Sequence, residues 1–140
     1  MSIIVTDTGF GPDTWEQGYT AFGEATNDVT ALDVPSDTNP ADIPLSSSLK
    51  MVRVDFPSSH DGRGFTIARL LRLRGYTGRL RARGHVIADQ YAMARRCGFD
   101  EVEISQTLAA RQPEDQWLFR ADWQAHDYQA RLRGQTNAAI

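Results

Sequence analysis

Between Met51 and Ile104 apolar residues recur first at every second position, then at helical spacing, and this switch occurs twice. MVRVDF alternates Val52, Val54 and Phe56 with Arg53 and Asp55, the period-two pattern of a strand, and Pro57 stops it. Ile67, Leu70, Leu71 and Arg74 then fall on one side of a helix, with Arg69 and Arg72 opposite. After Gly75 and Gly78, the strand Arg79 to Arg83 directs Leu80 and Ala82 one way and three arginines the other, so it lies near an edge or is covered by acids. Val86 to Cys97 reads as a second crossover helix, with Val86, Gln90, Met93 and Cys97 on one stripe and Gly98 as its stop, and GFDEVEI follows as a strand. Parallel strands need crossovers of this length. The expected architecture is one α/β domain over residues 1–140, with a mainly parallel sheet of four or five strands, open or part of a barrel.

The flanks are less patterned. Ile3 to Thr6 is a short β-rich start in an otherwise irregular segment 1–28, where Glu16 to Gly23 is weakly helical. Val29 to Val34 reads as a strand, followed by a short helix capped by Thr38 or Asn39, with Pro40 in its first turn and an end near Ser48. A last helix is predicted from Pro113 to about Arg133, packed on the sheet, ahead of a flexible tail at 134–140. Trp117, Leu118, Ala121, Ala125, Tyr128 and Leu132 form one stripe of it, and Phe119, Trp123, His126 and Ala130 a second. A helix with two apolar sides needs a second packing surface. Either a homodimer partner meets Phe119, Trp123 and His126, or the acidic N-terminal segment folds over them.

Composition excludes several classes. No apolar run approaches the roughly 20 residues that cross a bilayer, and the opening residues lack the pattern of a secretory leader, so a cytoplasmic location is expected. Cys97 is the only cysteine, which excludes an intrachain disulfide. On the buried stripe near a helix C-terminus, its thiol is expected to be a packed, unreactive group. The net charge of −3 hides a division: residues 1–50 hold eight acids against Lys50, and residues 51–140 hold fourteen arginines against ten acids. Seven of these arginines lie between Arg63 and Arg83 with no acid among them. A nucleic-acid partner is not expected, because aromatic residues are not interleaved with them for base stacking.

If the strands are parallel, PSSHDGRG, GHV and SQ gather at the carboxyl edge of the sheet, where α/β proteins place their ligands. The first combines Ser58, Ser59 and His60 as donors, Asp61, Gly62 and Gly64 in a turn, and Arg63 at a helix start, a set suited to a small oxoanion. His85 follows the neighbouring strand and could face the same pocket, with Arg81, Asp89, Gln90 and Ser105 at its periphery. Asp61 could equally serve only as a helix cap. The spacing matches no metal motif, and no dinucleotide fingerprint, P-loop or nucleophile elbow is present. No metal, cofactor or catalytic residue is assigned.

FPSSHDGRGFTIARLLRLRGYTGRLRARGHVIADQYAMARRCGFDEVEI resembles the signature of the bacterial family known as domain of unknown function 934, over roughly residues 29–133. DGRGF, ARLLR, GYTG, LRA, DQ and RCGFD carry the resemblance. Asp61, Gly62, Arg63, Gly64, Arg69, Arg81, Asp89 and Gln90 match the family pattern, whereas Ser59, His60 and His85 depart from it. Members are commonly labelled oxidoreductases of sulfite reduction, so the resemblance implies an association with assimilatory sulfur metabolism. Two roles follow as expectations: an accessory protein that docks to or supports sulfite reductase, or a small oxoanion-binding enzyme or sensor acting at the DGRG turn.

Overall fold

The computed structural model describes residues 2–124. Seven strands form one sheet: β1 (Ser2–Thr6), β2 (Gly9–Gly11), β3 (Thr20–Ala21), β4 (Ala31–Val34), β5 (Met51–Phe56), β6 (Arg79–Gly84) and β7 (Glu101–Ser105). Their order is β2-β1-β7-β6-β5-β4-β3. Strands β3 to β7 are parallel and lie side by side in chain order, whereas β1 runs antiparallel to both β7 and β2. The sheet is open, with β2 and β3 as its edges, and is larger and more mixed than the four or five mainly parallel strands expected. The excess comes from the first 28 residues, read as irregular, which supply three strands. Hydrogen bonding to a neighbour, rather than apolar alternation, makes Gly9–Gly11 and Thr20–Ala21 strands. The weak helix expected over Glu16 to Gly23 is replaced by β3 and one 3₁₀ turn at Phe22–Glu24.

Crossovers of one hand between consecutive neighbours put their helices on one face. Helix α1 (Arg63–Leu73) buries Phe65, Ile67, Ala68 and Leu71, while Leu70 is turned to the surface. Its Phe65 ring lies 4.9 Å from Phe56. The second crossover begins as a 3₁₀ turn at Ala88–Gln90 and becomes helical only at α2 (Tyr91–Cys97). The tighter turn shifts the helical phase, so Tyr91 and Ala94 are buried and Met93, expected on the inner stripe, is half exposed. The helix expected after Pro40 is a single 3₁₀ turn, Pro40–Asp42, with the Asn39 side chain accepting from the Ala41 N–H.

The C-terminal part differs most from expectation. An unforeseen helix, α3 (Gln106–Arg111), is capped by Ser105, whose Oγ accepts from the Leu108 N–H at 3.1 Å. Helix α4 is short, Glu114–Leu118, and the chain continues as turns to residue 124. It packs beside β2 and the 3₁₀ turn at 88–90, not across the sheet. Trp117 is its anchor: the indole is buried edge-on against Tyr91, with Nε1 donating to the Gln112 carbonyl. The rest of the predicted helix, with His126 and the tail at 134–140, lies outside the described residues. Among the described residues no helix is long and apolar enough to cross a membrane.

The other face of the sheet is charged. In register across the parallel strands, Arg53 lies beside Arg81, Arg81 beside Glu101, and Arg83 beside Glu103. Arg81 is fully buried; its guanidinium reaches Glu101 at 2.5 Å, Glu103 at 3.0 Å and both carboxylate oxygens of Asp13 at 3.0 and 3.1 Å. Arg53 bonds Asp33 twice and Glu103 twice, and lies 3.7 Å from the Tyr19 ring centroid. The arginine row of β6 is therefore covered by acids rather than placed at an edge. Asp13 and Tyr19, from the N-terminal segment, close over it.

Burial raises the pKa of Glu103, but the attraction of Arg53 and hydrogen bonds from Arg81, Ser2 and Arg53 outweigh it and hold the carboxyl below its ordinary 4.5. The unfolded chain thus takes up this proton at higher pH than the folded one, so the contribution is complete above about pH 4.5 and lost as pH falls through the folded value. The melting temperature is expected to be flat from pH 7 to 5, with respect to this group, and to fall below about 4.5, with a shallower fall in Glu103→Gln. Arg81→Met, which removes one of the two arginines bonded to each of the buried carboxylates Glu101 and Glu103, is expected to cost about 1–3 kcal/mol in denaturant titration.

Candidate functional site at the carboxyl edge of the sheet

Because β4 to β7 are parallel, Pro35, Pro57, His85 and the end of β7 at Ser105 all fall on one edge, and antiparallel β1 brings Ser2 opposite Ser105. A cavity of about 310 Å³ opens there, lined by Ser2, Asp55, Pro57, Arg83, His85, Glu103 and Ser105 among others. Its polar groups come from the charged face of the sheet, not from the loop before α1.

The DGRG turn is closed on itself. Asp61 Oδ1 accepts from the Arg63 backbone N–H at 3.1 Å and from Nε at 2.9 Å, and Oδ2 accepts from Nη2 at 2.7 Å. The side-chain and backbone hydrogen bonds of Arg63 hold the Asp61 carboxyl far below its usual range. Arg63 Nη2 also donates to Ser36 Oγ at 3.0 Å. Ser58 Oγ accepts from the His60 N–H, and the Ser58 carbonyl from the Asp61 N–H. Gly64 serves packing: a β-carbon there would lie 2.4 Å from Phe56 Cζ. Ser58, Ser59, His60, Asp61, Gly62, Arg63 and Gly64 do not line the cavity that holds His85 and Ser105.

Of the remaining expected residues, Gln90 scaffolds this rim. Gln90 donates from Nε2 to the Ser59 carbonyl at 2.8 Å and accepts the Ile87 N–H at 3.1 Å, tying the turns after β5 and β6 together. Gly84 has φ +117°, and a β-carbon would meet the Phe56 carbonyl oxygen at 2.6 Å; only glycine lets the chain turn there, so that the His85 N–H reaches that same oxygen at 2.9 Å. Asp89 pairs on the surface with Arg120 at 3.2 Å, and Arg81 lies deep in the charged face. Cys97 is partly buried, and burial pushes its thiol pKa up despite Arg69 and Arg96. Trp123 meets its own chain, with Nε1 donating to Asp7 at 3.3 Å and Arg95 4.8 Å from the ring centroid. Phe119 is 75% exposed.

The sequence reading missed Asp55, Arg83, Ser2 and Glu103 as site residues. Arg83 differs from Arg53, Arg79 and Arg81, the other arginines on this face, each of which is hydrogen-bonded to an acid. It is half exposed, and its nearest carboxylates are Glu103 at 3.5 Å and Asp55 at 3.9 Å, beyond good hydrogen-bond distance. Glu103 is already engaged by Ser2, Arg53 and Arg81. The signal for these residues was the charge at every second position of three consecutive strands, ending at the rim in Asp55, Arg83 and Glu103.

A family model described as "Bacterial protein of unknown function (DUF934)" matches residues 31–138. Neither the curated proteins nor the solved structures contain a significant match.

Gly64→Ala is expected to destabilise by about 1–3 kcal/mol through the clash with Phe56. A denaturation midpoint unchanged from that of the parent would refute this packing role.

Proposed function

This chain belongs to the bacterial DUF934 family, and we propose that it binds a small oxoanion at the carboxyl edge of the sheet, through Arg83 rather than through the DGRG turn. The observation that carries this reading is the contrast between two arginines. Arg63 is tied to Asp61 by two short hydrogen bonds, whereas the carboxylates nearest Arg83 lie at 3.5 and 3.9 Å and its guanidinium borders an open cavity. His85 and the Ser105 hydroxyl line the same space and supply further donors. A planar guanidinium offers paired N–H groups to an oxoanion. With the sulfur association that the family resemblance implies, sulfite and sulfate are the ligands to test, in an enzyme or sensor.

Calorimetric titration of either anion is expected to give binding that Arg83→Ala weakens roughly tenfold or more, the loss of one or two charge-assisted hydrogen bonds. Arg63→Ala should leave it within a factor of two to three. Loss in Arg63→Ala and retention in Arg83→Ala would return the site to the DGRG turn; no heat with either anion in the wild type would overturn the reading.

A second reading, an accessory protein docked on sulfite reductase, is favoured by Leu118 and Phe119, which are 41% and 75% exposed on adjacent positions. Co-elution with purified sulfite reductase, abolished by Phe119→Ser, would support it; separate elution of the wild type would count against it. Light scattering in the same run tests the homodimer expected through this helix.

A further inference from the structure

The cavity beside Arg83 has a neighbour. A second space of about 310 Å³ is lined by Ala21, Phe22, Gly23, Asp33, Val34, Pro35 and Arg53, and the two cavities share Asp55 and Arg83 as their common wall. An inorganic oxoanion occupies on the order of two water volumes, each about 30 Å³. It would leave most of either cavity filled with water. Pockets that hold organic ligands begin near this size.

Charge bears on the same question. Asp55 is nearly half exposed, and among the described residues its ion pair is with Arg83, at 3.9 Å. Glu103, the other carboxylate near Arg83, is neutralised by Arg53 and Arg81. An anion drawn to Arg83 therefore competes with Asp55 for the same guanidinium and comes close to its carboxylate. The repulsion disappears if the ligand carries its own cation on that side.

We infer that the ligand is a small organic zwitterion, an amino acid or amino sulfonate, whose oxoanion pairs with Arg83 and whose ammonium pairs with Asp55. This rests on the oxoanion reading above and narrows its substrate class. Glu103 takes no part in ammonium binding, because its oxygens already accept from Ser2, Arg53 and Arg81. Val34 and Pro35 with Phe22 give the carbon body an apolar wall. Asp55 therefore selects zwitterions over simple anions.

The test compares taurine with ethanesulfonate, which share a sulfonate on two carbons and differ in the ammonium. Titrated into the full chain, taurine is expected to bind at least tenfold more tightly. Asp55→Asn should bring taurine down to the level of ethanesulfonate while leaving ethanesulfonate unchanged or tighter. Equal affinity of the two sulfonates for the wild type would overturn the zwitterion assignment and leave oxoanion binding standing. Taurine preference that survives Asp55→Asn would overturn the role of Asp55. Failure of both sulfonates and of sulfate to bind would remove the oxoanion reading and this one together.

Discussion

A guanidinium with no access to water sits in the middle of the charged sheet face, and much of the molecule is arranged to satisfy it. Burial works against the charge of Arg81, but hydrogen bonds and attraction from Asp13 and Glu101 outweigh it, so the group stays cationic. A buried charge is tolerated only when its donors are matched by acceptors of good geometry. The matching set comes from two places far apart in sequence: Glu101 and Glu103 on β7, and Asp13 in the N-terminal segment. That requirement matches the register of β6 on β7 and holds the segment between β2 and β3, with Asp13, Trp15 and Tyr19, across the face. Arg53 repeats the arrangement one strand over, with Asp33 and Glu103 as its acids and Tyr19 lying on its guanidinium.

The network also explains why loosely paired charge is concentrated at the rim. At the carboxyl end of β6 the pairing loosens: Arg81 has three acids at 2.5–3.0 Å, whereas Arg83 has one at 3.5 Å and one at 3.9 Å. The covering segment crosses over Arg53, Arg79 and Arg81, and Asp55 and Arg83 are left half exposed. Incomplete neutralisation at a concave edge is the physical condition for recruiting a charged ligand. The helix face serves a different purpose. Phe56 packs with Phe65 and Phe99, and its carbonyl accepts from His85, so one residue anchors both the helical layer and the turn after β6.

The core βαβαβ unit was legible because its signals are local. Period-two apolar residues at 52, 54 and 56, helical spacing at 67 and 71, and punctuation at Pro57, Gly75 and Gly98 each act within a few residues. The phase of α2 was misjudged because a 3₁₀ turn at 88–90 has no distinct sequence pattern, and α3 was missed because six residues are too few for periodicity to register. His85 and Ser105 were legible as rim residues from their place after strands. The DGRG turn carries residue types that oxoanion sites and self-capped turns share, and the pairing of Asp61 with Arg63 inside it is visible only in the distances.

By itself the sequence determined a parallel α/β core, the edge at which its strand ends gather, the unreactive setting of Cys97 and membership of a family. These follow from short-range periodicity and from motifs contiguous in the chain. Tertiary structure decided which charges are neutralised. How far Arg81 and Arg83 are neutralised depends on carboxylates brought from Asp13, Asp55, Glu101 and Glu103, up to 68 residues away along the chain. Electrostatic pairing depends on distance in space, and composition carries none of that information.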